Sequence, residues 1–84
     1  MFVGIQFTGP VAAGASHTWF THDWSPDWHV IWTVVPLTPV AGAPQLDWSV
    51  AVQRAGASAI TYWITIHNLT SAAIDVEARY EVLD

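Results

Sequence analysis

The sequence predicts an all-β protein: a small antiparallel β-sandwich of about six strands, immunoglobulin-like or jelly-roll-like, with no helix. Three observations predict it. Apolar and polar residues alternate with a period of two along most of the chain. Apolar spacing of three and four is nowhere sustained, and β-branched and aromatic residues dominate each periodic stretch. Clusters of Gly, Pro, Ser and Asn punctuate the stretches at short intervals. With 84 residues the chain makes one domain, 1–84, and a sandwich is favoured over a closed barrel.

In chain order, "FVGIQFT" and "SHTWFTH" supply the first two strands. In the second, Phe20 takes the inward phase, and Trp19 alternates outward with His17 and Thr21. "HDWSPDWH", residues 22–29, follows as a turn, because Pro26 cannot donate to a ladder and Ser25-Pro26 favours a break. "WHVIWTVV" is apolar on both phases and reads as a strand buried on both sides or packed into an interface. "PLTPVAGAPQ" has three prolines in ten residues and must be a loop.

The last three strands carry the clearest pattern. "LDWSVAVQ" places Leu46, Trp48, Val50 and Val52 on one face and Asp47, Ser49 and Gln53 on the other, the mark of a half-buried strand. "AITYWITIH" turns Ile60, Tyr62, Ile64 and Ile66 inward, and "IDVEARYEVL" does the same with Ile74, Val76, Ala78, Tyr80 and Val82. The short connections "RAGAS" and "NLTSAA" predict that these strands form an antiparallel meander. "NLT" also matches a glycosylation acceptor, but turn chemistry is the better reading.

Composition bounds the function. A chain of this length buries only about 60–65% of its unfolded surface, so its core is marginal and some further source of stability is expected. With no cysteine, disulfides and thiolate zinc sites are excluded. Hydrophobic residues make up 52% of the chain, charged residues only 11%, and six residues are Trp, more aromatic surface than so small a core can hide. A homo-oligomer is therefore expected. Two Arg, no Lys and seven acids give a net charge of −5, which excludes a phosphate-binding patch and so nucleic acid, and disfavours anionic membranes. Protonation of the four His would bring that charge towards zero, so solubility is expected to fall below about pH 6. No basic region with a long apolar run opens the chain, and no stretch reaches the length of a membrane helix. A cytoplasmic protein, or one released without a signal peptide, is the expectation.

Trp28, Trp32 and Trp48 share phases with Val, Leu and Ile and are expected in the core. Trp63 lies among Thr61, Thr65 and His67 on the polar phase and is expected to be exposed. If its strand pairs with the last one, Trp63 faces Arg79 or Glu77, and the first register gives a cation–π pair with His67 opposite Asp75. In the 22–29 loop, Trp24 is the tryptophan expected to have least access to the core. An indole beside carboxylates suits a sugar, whose C–H face stacks on the ring while its hydroxyls donate to the acid. Asp23, Trp24 and Asp27, with His22 beside them and Trp63 and Arg79 on the sheet, are the candidate ligand-binding residues.

No metal, cofactor or catalytic centre is expected. His17, His22, His29, Asp23 and Asp27 put five potential ligands in thirteen residues, but His17 and His22 have opposite strand parity. Ser16 and His17 point apart on a strand, and no paired carboxylates sit in a sequence context that builds a deep pocket. The expected function is a non-catalytic carbohydrate-binding, lectin-like module. The alternative is a structural self-assembling protein whose exposed aromatics form subunit interfaces.

Overall fold

The computed structural model describes residues 2–83, which form six strands: β1 (Phe2–Val11), β2 (Ser16–Trp24), β3 (His29–Pro36), β4 (Leu46–Gly56), β5 (Ala59–Asn68) and β6 (Ile74–Leu83). They build two three-stranded antiparallel sheets, ordered β1-β6-β3 and β2-β5-β4, and no helix is present among the described residues. The sheets face each other as a small β-sandwich. The core between them is made by Val11, Trp32, Val34, Ile64, Ile66, Ile74, Val76 and Ala78.

The expected meander is half present. β4 and β5 form a hairpin, but β5 and β6 do not pair; each is the central strand of its own sheet. Both have an inward face that is almost wholly apolar. Stacking those faces across the sandwich buries Ile64, Ile66, Ile74, Val76 and Ala78 together, which lateral pairing in one sheet would leave half covered.

Asn68 fixes the crossover. Its side chain is fully buried; its amide donates to the carbonyls of Val11 (3.0 Å), Ala12 (3.2 Å) and Ala72 (2.8 Å), and its Oδ1 accepts from the backbone N–H (2.9 Å) and hydroxyl (2.8 Å) of Thr70. The polar group is thus matched on both sides, and "NLT" is the turn that joins the sheets. The adjoining β1–β2 turn uses Gly14 at φ 66° and donates from Gly14 N–H to the Thr70 carbonyl at 3.1 Å.

β2 has the phase opposite to the expected one. Trp19 pairs laterally with Ile64 and points inward, while Phe20 pairs with Trp63 and points out. Gly9 on β1 leaves room for this: a Cβ there would lie 3.3 Å from the Trp19 ring, which stacks on Phe7 with centroids 4.5 Å apart. Phe20 is left 60% exposed.

Of the three tryptophans expected in the core, only Trp32 is buried. Trp28 is 38% exposed at the end of the sandwich, and Trp48 is 40% exposed on β4. β4 is not the half-buried strand its alternation predicts, because as an edge strand it extends past the cover of the opposite sheet and leaves Trp48, Val50 and Val52 open.

Candidate ligand-binding face

The segment 22–29 is a corner in which Trp24 packs against the core while Trp28 is partly open to solvent. A register shift between Thr21 and Trp24, with Asp23 at φ 67°, reverses the side-chain phase and turns Trp24 inward. Trp24 then meets Trp28 (6.1 Å between ring centroids), Trp32 (5.5 Å), Tyr62 (6.2 Å) and Tyr80 (5.3 Å), each steeply inclined to it in the edge-to-face manner that ring quadrupoles favour. Its indole N–H donates to Thr21 Oγ1 at 2.8 Å. Trp24 is therefore the hub of an aromatic end-core, contrary to the expectation that it has the least access to the core of the six tryptophans.

The polar residues of the corner are exposed and hold it locally. His22 Nδ1 lies 3.0 Å from Asp23 Oδ2, and the Asp27 backbone N–H donates to Ser25 Oγ at 3.2 Å. With Trp24 turned inward, its ring is not an open plate beside Asp23 and Asp27, and the exposed indole next to Asp27 is that of Trp28. Arg79 is equally remote from Trp63, because β6 and β5 lie in different sheets and their outer faces look in opposite directions. The expected cation–π pair is not formed. Arg79 Nε instead donates to Glu77 Oε2 at 2.6 Å, and His67 stands beside Asp47 (3.8 Å) rather than Asp75. Among the described residues, no group of three or more His, Asp or Glu side chains is placed to hold a metal ion.

The outer face of the β2-β5-β4 sheet is built differently. Its cross-strand rows run Phe20–Trp63–Ala51, Thr18–Thr65–Ser49 and Ser16–His67–Asp47. Phe20 and Trp63 are directly opposed, their rings 5.2 Å apart and inclined by 33°. Ala51, on the other flank, is too small to cover the indole. Gln53 Oε1 accepts the Trp63 indole N–H at 3.1 Å and holds the ring in place. Thr18 and Thr65 hydroxyls share a hydrogen bond of 2.9 Å in the next row, about 7 Å further along the strands. The result is an open apolar patch of two mutually tilted rings, bordered by hydroxyls and an amide.

The third row has the composition of a Ser-His-Asp triad but not its setting. The row lies on open sheet, and His67 Nδ1 is 3.8 Å from Asp47 Oδ1, beyond hydrogen-bond distance.

Trp63 is exposed as its polar phase predicts, at 39%. Phe20 and Gln53 were not among the expected site residues. The available signal was the polar phase Ser16, Thr18, Phe20, His22, in which Phe20 is the single apolar member.

Compared with known protein families, with curated proteins and with solved structures, the chain matches none significantly.

Proposed function

We propose that this protein is a non-catalytic carbohydrate-binding module whose platform is the outer face of the β2-β5-β4 sheet. The observation that carries the reading is the adjacent, outward pair Phe20 and Trp63 on the outer sheet face, with the indole braced by Gln53. Two rings in one row offer stacking surface to the C–H face of a sugar, and the flanking Thr18, Thr65 and Gln53 offer donors and acceptors to its hydroxyls. The face is open rather than cleft-like, which suits an extended chain of sugars better than a single buried ring. The site thus moves from the 22–29 corner to the sheet, keeps Trp63, and leaves Asp23, Trp24, Asp27 and Arg79 outside it.

The test is titration of neutral oligosaccharides of several linkages, followed by tryptophan fluorescence and calorimetry. At least one series binds, Trp63→Ala weakens it by about tenfold or more, Phe20→Ala weakens it less, and Asp27→Ala leaves it unchanged. Binding that survives Trp63→Ala, or no binding by any series, refutes the proposal.

The second reading is a self-assembling structural protein. It is favoured by the opposite outer face, where exposed Val3 and Ile5 line a shallow groove of about 350 Å³ with Thr33, Arg79 and Glu81, and Ile31 is exposed opposite Glu81.

A further inference from the structure

The geometry points to the free edge of β4 as a self-pairing surface: β4 of one copy aligns antiparallel with β4 of a second copy about a two-fold axis at Val50, so that two β2-β5-β4 sheets become one six-stranded sheet. This goes beyond the sugar-binding reading and does not rest on it.

The described residues form four sheet edges, and β4 is the least defended. β1 has a register shift between Ile5 and Phe7 and carries Pro10; β2 has the shift between Thr21 and Trp24. Such irregularities blunt an edge against a foreign strand. β3 is shorter, ends in Pro36 and has already buried Trp32 and Val34 against its own core. β4 runs eleven residues with no Pro and no Lys, and its single irregularity comes at its far end, between Arg54 and Gly56. Its unpaired backbone groups therefore form a long regular template.

The side chains select a copy of β4 as the occupant. Trp48, Val50 and Val52 lie on the phase of the buried Ile66 and Ile64, yet they are exposed by 40%, 37% and 63%. A two-fold axis normal to the sheet keeps each phase on its own side, so the numbers of opposed residues must add to an even sum. Only a sum of 100 maps the apolar trio onto itself. Val50 then faces Val50 of the second copy, and each Trp48 faces a Val52. On the other phase Ser49 faces Ala51, and both are small enough to let the strands approach.

Charge agrees with this alignment. β4 has one acid, Asp47, and one base, Arg54, near opposite ends. Antiparallel pairing places the Asp47 end of one copy at the Arg54 end of the other, whereas parallel pairing would bring like charges together. The ladder 47–53 adds about six to eight backbone hydrogen bonds, and it covers apolar surface that the marginal core of one copy leaves in water.

The test uses the whole chain. Light scattering on the wild type gives the mass of a dimer at tens to hundreds of micromolar. Val50→Lys and Val50→Glu, each checked for wild-type circular dichroism, are monomeric alone and dimeric when mixed in equal amounts, because the axis sets residue 50 against its own copy. Since the chain has no cysteine, Val50→Cys introduces a single thiol; under mild oxidation it cross-links about tenfold or more faster than Val3→Cys on the other sheet, because directly opposed residues fall within disulfide reach. A monomeric wild type, a Val50→Lys variant that remains dimeric, or Val50→Cys cross-linking no faster than Val3→Cys overturns the proposal. Should either charged variant fail to fold, the cysteine comparison decides alone.

Discussion

Strand β6 runs through the middle of its sheet with Ile74, Val76, Ala78 and Val82 closed off from solvent, whereas β4, whose apolar residues alternate as regularly, leaves Trp48, Val50 and Val52 open at the margin of the other sheet. Both strands obey the same rule of alternation. What separates them is lateral position: a central strand is covered by the whole opposing sheet, and an edge strand only by what reaches its margin. Alternation therefore sets which side chains share a face, and sheet order sets which of those faces is buried.

Five substitutions or conditions break or sharpen this contrast. Val76→Asp puts an unpaired carboxylate into a fully buried site, and the domain is expected to lose its folded population; Val50→Asp, at a partly open edge site and measured by urea denaturation at low concentration, costs only about 1 kcal/mol. Trp24→Ala removes the hub of the aromatic end-core and is expected to cost about 3–5 kcal/mol, a loss seen in denaturant midpoint and near-ultraviolet circular dichroism. Asn68→Ala strands the carbonyls of Val11 and Ala72 and the N–H of Thr70 at the crossover that separates β5 from β6, at a cost on the order of 3 kcal/mol by the same titration.

The smallest effect concerns Tyr62, whose pKa burial raises above the usual value of 10.0. The unfolded chain then loses this proton at lower pH than the folded one. The Tyr62 contribution is fully present below about pH 10 and is lost as pH rises through the higher folded value. Thermal melts from pH 7 to 11 should show that decline begin later in Tyr62→Phe.

The fold was largely legible because period-two alternation is strong in β4, β5 and β6 and because turn residues punctuate the chain between all six segments. Less legible were features set by a partner strand. In β2, His17, Trp19 and Thr21 compete with Thr18, Phe20 and His22 for the inward phase, and neither set is clearly more apolar. Gly9 on β1 leaves room for Trp19, and nothing within "SHTWFTH" records that. Similarly, the positive φ of Asp23 sends Trp24 into the core. Asp tolerates that conformation, but a local pattern does not announce it.

The candidate site divides along the same line. Trp63 was readable from its own strand, since Thr61, Thr65 and His67 mark its phase as polar. Its neighbours depend on which strands flank β5. With β2 and β4 in those places they are Phe20, Ala51 and Gln53; with β6 there, Arg79 would have been the neighbour.

The most direct test is a two-dimensional ¹H–¹⁵N spectrum of the six tryptophan indoles, recorded while a binding oligosaccharide is added. Each indole reports its own surroundings. The Trp63 signal should shift progressively while those of Trp24, held by Thr21, and of buried Trp32 stay fixed. Shifts at Trp24 and Trp28 with Trp63 silent would return the site to the 22–29 corner and contradict the assignment of the sheet face.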